Sequence, residues 1–257
     1  MTYEYRPARI VSLCPSLTET LFALGLDAEV VGRTAYCGHP ADFTGRVAAV
    51  GEPKQVEIQK VLALRPDLVI ADKEENRQED VEALTEAVPV YVVDVTSYEK
   101  ALRLVEDLGM LVGRSSRAAA LVEEISAGFA RLPRGTPHSV AYLVWKEPLM
   151  VVGQGTYIHS VLGRCGFTNA CASLPGRYPK VTIDELRACA PEVVLLASEP
   201  FPFSDAHIED LAPQLPDSQL WLVDGEMFGW YGSRMVQAAD YLAGFCAELE
   251  SSLGSTS

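Results

Sequence analysis

No apolar run in this 257-residue chain approaches the roughly 18 residues that a bilayer-crossing helix needs, so a transmembrane helix is not expected. Cations are also scarce. With 21 Lys and Arg against 35 Asp and Glu, the formal charge is −14, and affinity for a phosphate backbone, which depends on Lys and Arg displacing counterions, is excluded. The four histidines (His39, His138, His159, His207) show no paired spacing, and the six cysteines contain no C-x-x-C, so no preformed metal site is expected. The cysteines read as small hydrophobes kept reduced. There is no G-x-S-x-G nucleophile elbow, and Gly153 and Gly155 lack the third glycine of a dinucleotide loop, so catalysis is not expected. The start, Met1 to Arg9, has no apolar leader. The chain as written is expected in the cytoplasm, or in the periplasm or cell envelope if a leader has been removed.

What is present is a globular composition, 48% hydrophobic and 22% charged. Apolar and helical segments alternate. An apolar strand at 9–13 precedes Ser16 and Glu19, which have the spacing of a capping box, and Gly25 closes the helix that follows. Strands are predicted at 30–32, 68–71 and 90–95, with helices at 57–64 and 79–87 between them, the pattern of a parallel sheet covered by helices. Helical spacing then runs through 98–112 and 116–132. The second half follows the same plan: strands at 140–145, 193–197 and 221–223, helices at 158–165 and 233–249, and a second capping box at Thr182 and Glu185.

The halves also echo one another. The octapeptide from Ala63 to Ile70 matches that from Ala188 to Leu195, each a helix end, a proline and a buried strand. The expected fold is therefore α/β, with two similar lobes facing each other across a cleft. The N-terminal lobe covers 1–113, a long rigid linker helix 114–135, and the C-terminal lobe 136–257.

Five stretches carry a family resemblance: Arg9 to Glu19, Val31 to Pro40, Leu64 to Ala71, Gly153 to Asn169, and Asp224 to Arg234. They resemble the substrate-binding proteins of cobalamin, haem and iron-siderophore ABC importers, also called helical-backbone metal receptors, with a class III periplasmic-binding-protein-like fold. The likeness is greatest to the cobalamin-binding branch. It implies a monomer that captures a corrinoid between its lobes, carries no covalent cofactor, and delivers its cargo to an ABC importer permease. The alternatives are haem, a ferric siderophore, or a corrinoid-binding role in the cytoplasm without a transporter.

A corrin is a large apolar disc edged with amides, and aromatic faces with a few polar groups suit it. The resemblance points to Tyr36 and to the loop before the last helix, where either Trp230 or Met227 fills the matching position. Trp145, Tyr157 and Tyr231 join them because they lie in or beside strand-to-helix loops; lobe core is the competing reading for Trp145 and Tyr157. His39, next to the Tyr36 loop, is the one histidine placed to act as an axial ligand, or else it bonds locally. The family docks on its permease through one acidic residue on each lobe. Here those are sought among Glu74, Glu75 and Glu79 in the first lobe and Glu199 and Glu209 in the second, with a merely solvated acidic face as the competing reading.

Overall fold

A computed structural model describes residues 6–133 and 136–254; residues 1–5 of the N-terminal segment, and residues 134 and 135 at the end of the expected linker, lie outside them. The chain forms two compact units, one of residues 6–95, 99–124 and 231–234, the other of residues 96–98, 125–230 and 235–254.

In the first unit the chain runs through β1 (Ile10–Ser12), α1 (Pro15–Ala23), β2 (Val30–Arg33), α2 (Ala41–Thr44), β3 (Ala48–Ala49), β4 (Gly51–Glu52) and β5 (Gln55–Val56). It continues through α3 (Ile58–Ala63), β6 (Leu68–Asp72), α4 (Gln78–Thr85), β7 (Val90–Val93), α5 (Tyr98–Leu111) and α6 (Ser115–Ala130). The sheet order is β3-β2-β1-β6-β7 and every pairing in it is parallel. Parallel sheets need helices on their faces, which explains why β6 is a continuous apolar run, buried at all five positions, with Asp72 as its only polar residue. Val11, Leu13, Val69, Ala71 and Leu84 form one core beneath it. Fully burying side chains of this size contributes about 1.5–3 kcal/mol each.

One expectation changes here. Ser16 does not cap α1: the helix begins at Pro15 with Cys14 as N-cap and no capping side chain, because proline at N1 has no N–H to satisfy and is preset for helical φ. Glu19 is thereby released from the expected capping box. The helical stretch after Tyr98 forms two helices, one for each run of helical spacing, and the chain turns between them at Gly113 (φ 68°). A Cβ on Gly109 would come within 2.3 Å of the Ala118 Cβ, so α5 and α6 cross closely only because that position is glycine. The boundary between the units falls inside α6, between Glu124 and Ile125.

The second unit contains β8 (Ser139–Trp145), β9 (Met150–Val151), α7 (Tyr157–Arg164), β10 (Thr168–Asn169), α8 (Ile183–Ala188) and β11 (Val193–Ala197). Then come α9 (Asp205–Leu211), a 3-10 turn (Ala212–Gln214), β12 (Gln219–Val223), α10 (Gly225–Gly229) and α11 (Met235–Gly254). The order β10-β8-β11-β12 is again parallel, with β9 added antiparallel to β8. Its core contains Leu143, Val151, Leu186, Val194 and Leu196. Thr182 and Glu185 form the expected capping box in full, Thr182 N donating to the Glu185 carboxylate (2.7 Å) and Glu185 N to Thr182 Oγ1 (3.2 Å). The segment 225–232, expected as an open loop, contains the helical turn α10, and α11 starts two residues later than expected.

Candidate functional site

In open parallel sheets, ligands are taken at the carboxyl ends of the strands, where side chains are aimed by rigid elements and backbone ends are unspent. Each unit has such an edge.

In the first unit, β1 runs directly into α1, and the turn is filled by a buried polar network. Thr18 Oγ1 donates to Ser12 Oγ (2.8 Å) and to Cys14 O (3.0 Å), and it lies 3.1 Å from Cys37 Sγ, which also lies 3.2 Å from Thr34 Oγ1. Burial pushes both the Cys14 and Cys37 thiols up from their usual range, so neither is a poised nucleophile. The Cys37 loop carries Tyr36, whose side chain projects into solvent at 61% exposure. The Glu52 carboxylate beside it raises the Tyr36 phenol. His39 is half-buried two residues on.

At the end of β6, Asp72 is buried and held from several sides. Glu74 N and Glu75 N donate to its Oδ1 (2.8 and 2.9 Å), and its own N–H donates to Asn76 Oδ1 (2.8 Å). Asn76 Nδ2 in turn donates to Leu13 O and Pro53 O (3.0 Å each), tying β6 to the β1 end and to the loop after β4. The remaining carboxylate oxygen accepts from the Tyr231 hydroxyl. Burial raises the Asp72 carboxyl above the ordinary range despite these donors, and burial likewise pushes the Tyr231 phenol well above its usual value.

In the second unit the matching edge is aromatic. Trp145 ends β8 with 40% of its surface exposed, donates its indole N–H to Glu147 O (3.1 Å), and meets the Phe201 ring edge-on at 5.6 Å. Phe201 in turn packs on Phe203 (4.8 Å) and His207 (5.2 Å). Beyond β12, Asp224 caps α10 by accepting from Glu226 N (3.0 Å), and α10 delivers the half-buried Met227 and Trp230. The Trp230 indole N–H donates to Glu199 Oε1 at 2.6 Å. A Cβ on Gly225 would come within 2.6 Å of Glu199 Cγ, so this turn sits tightly against the residue that receives the indole.

The structure thus joins Trp230 to Glu199, Tyr231 to Asp72, and Trp145 to Phe201. Tyr157 stands apart: it begins α7 at 3% exposure, and burial raises its phenol strongly. Of the acidic residues sought for docking, Glu75, Glu79 and Glu209 are exposed and Glu199 is half-buried on the indole. Glu79 pairs with Arg77 at 3.4 Å. Among the described residues no group of three or more His, Cys, Asp or Glu could hold a metal ion. Sequence reasoning overlooked Asp72 and Phe201. The signals for them were faint: a single polar residue ending an apolar strand, and the Pro-Phe-Pro-Phe run after β11.

Comparison with known proteins adds five findings. Residues 10–215 match the family described as Periplasmic binding protein. The chain is 24% identical over 252 residues to the vitamin B12-binding protein of Vibrio parahaemolyticus, covering 95% of this chain and 90% of that one. It is 25% identical over 196 residues to the vitamin B12-binding protein of Photorhabdus laumondii, covering 74% and 71%. Among solved structures, the periplasmic vitamin B12 binding protein BtuF of Vibrio cholerae superposes with a TM-score of 0.76 at 20% identity, over 94% of this chain and 97% of that one. A periplasmic haem-binding protein from Pseudomonas aeruginosa does so with 0.78 at 25%, over 93% and 92%.

Proposed function

The chain belongs to the periplasmic binding protein family, and on that premise we propose that it binds a corrinoid of the cobalamin type without reacting with it and hands it to an ABC importer. The observation that carries this reading is the aromatic edge of the second unit. Trp145 is exposed and Trp230 half-exposed at the carboxyl ends of parallel strands, and Tyr36 is exposed at the corresponding edge of the first unit. Such rings offer flat apolar area to a large disc, and side chains that reach polar neighbours leave their faces free for it. Haem is the rival cargo, since a haem-binding protein shares the fold as well as a B12-binding one does. The relatives matched over most of the sequence are B12-binding proteins, which favours the corrinoid.

Delivery would use exposed carboxylates, Glu79 or Glu75 on the first unit and Glu209 on the second, with Glu199 the less accessible choice. Exposed ion pairs contribute only about 0–1 kcal/mol, so these would set orientation and encounter rate rather than affinity. Delivery to an importer also makes the cell envelope the place of work.

The test is retention of colour through gel filtration. Cobalamin or cobinamide is expected to co-elute at one per chain, with haemin and a ferric siderophore run in parallel. Retention of haemin with loss of both corrinoids would transfer the reading to haem.

A further inference from the structure

Four consecutive residues, Tyr231, Gly232, Ser233 and Arg234, belong to the first unit although the chain on both sides of them belongs to the second. Each has a specific contact there. The Tyr231 hydroxyl donates to Asp72. Gly232, at φ 88°, passes so close to Thr20 that a Cβ would lie 2.0 Å from its Oγ1. Ser233 N donates to that same Oγ1 (3.0 Å), whose own proton goes to Ser16 O (2.7 Å). Arg234 grips Glu19 with two nitrogens, Nε to Oε2 at 3.0 Å and Nη2 to Oε1 at 2.9 Å, with the two side chains only 5% and 14% exposed.

This is far more than a short connection needs. A buried ion pair is a poor source of net stability, because desolvating both charges offsets most of their attraction. What the two-pronged geometry does supply is a fixed position and direction. The residue immediately before this strap is Trp230, whose indole is already held by Glu199.

We infer that Glu19 and Asp72 are positioning residues, which through Arg234 and Tyr231 hold the strap so that Trp230 presents its ring in one orientation before ligand arrives. The inference rests on the reading of Trp230 as a ligand-facing residue. Neither carboxylate is required to touch ligand. Their contribution is that the Trp230 loop need not be ordered on binding, and ordering one such side chain costs about 0.5–1.5 kcal/mol, or roughly two- to twelvefold in affinity.

The experiment is fluorine NMR of the full chain labelled with 5-fluorotryptophan, which gives one resonance for each of Trp145, Trp221 and Trp230, the last assigned by its loss in Trp230→Phe. In ligand-free Glu19→Gln and Tyr231→Phe, the Trp230 resonance is expected to move toward the solvent-exposed position or broaden, while the other two stay in place. Cyanocobalamin affinity should fall about two- to twelvefold. A general loss of structure would move all three resonances, so it is distinguishable; if Glu19→Gln does not fold, Arg234→Lys, which keeps the charge but not the two-pronged grip, is read in the same way. A Trp230 resonance unchanged in the folded variants overturns the inference. If wild-type protein retains no corrinoid but the Trp230 resonance still responds, the ligand reading fails and the positioning role stands.

Discussion

Arg65 and Ala190 share a φ of 48°, the only non-glycine residues with positive φ among those described, and they stand 125 positions apart (190 − 65) at the same point of the two repeated octapeptides. Each directly follows the C-cap of a short helix and precedes a proline that leads into a buried strand. The duplicated sequence therefore reproduces a backbone conformation as well as a pattern of apolar residues.

The first prediction follows from that pair. A side chain in the left-handed region is disfavoured by about 1–2 kcal/mol, a cost that glycine avoids while losing some of the gain to its freer unfolded state. Ala190→Gly is expected to raise the melting temperature by about 1–3 °C, and Arg65→Gly by a similar amount, since the main-chain carbonyl of residue 65 that accepts from Arg9 Nε is kept in the variant. Leu64→Gly, at a neighbouring position with φ −73°, should lower it. Equal effects at positions 64 and 65 would show that local geometry is not responsible.

Tyr36 and Tyr157 should separate binding from folding. Tyr157→Ala empties a buried site and is expected to cost about 3–5 kcal/mol of stability, whereas Tyr36→Ala should leave the melt within about 0.5 kcal/mol of wild type while weakening corrinoid binding. Thermal melts paired with ligand titrations decide this. A Tyr36→Ala protein that binds normally removes the first unit's loop from the site.

Trp230→Ala removes a large apolar face and should weaken binding by about 2–3 kcal/mol, roughly 30- to 150-fold. Trp230→Phe keeps a flat ring but loses the bond to Glu199, and is expected to fall between Trp230→Ala and wild type. Calorimetric titration of the three proteins orders them. Phe and Ala giving the same loss would mean that the indole bond, not the ring face, is what matters.

Asp72 gives a pH signature. Its carboxyl is raised in the folded state above the unfolded 3.8, mainly by burial, so folding favours the protonated form. The associated stability is present in full below 3.8 and is lost as pH rises through the folded value. Asp72→Asn does not titrate. The melting temperature of the variant minus that of wild type is therefore expected to increase with pH across this window and level off above it. A difference that shrinks as pH rises would contradict the burial account.

The strands and helices were legible because they depend on local patterns. The continuous apolar run Leu68–Ala71 had to be a fully covered strand, and Thr182 with Glu185 had to cap a helix, since both signals are complete within a few residues. Ser16 and Glu19 carried the same capping spacing and misled, because Pro15 had already started the helix and Glu19 had a partner 215 residues away in Arg234. No periodicity reports a contact of that range. The same holds for Asp72 and Tyr231, 159 residues apart, and for Glu199 and Trp230, whose pairing turns on how a helical turn after β12 is seated. The two-residue strands β3, β4, β5, β9 and β10 were invisible because so short a segment has no alternation to read.

The interleaved membership of the two units has a consequence for how the protein can be taken apart. Although the two halves share a repeated octapeptide and a parallel sheet each, a cut inside α6 does not yield two self-sufficient halves. A fragment ending at Glu124 contains the sheet, Glu19, Thr20 and Asp72 but not the tetrapeptide that answers them, and so leaves a largely buried carboxylate without its guanidinium. The complementary fragment lacks Thr96–Tyr98, and with them the Tyr98 ring that packs on Phe129 at 4.8 Å and lies beneath the Arg164 guanidinium. Each half has lent a piece to the other, so a gene split at the middle would express two incomplete products, whereas a split protein designed to reassemble would have to exchange those pieces as well.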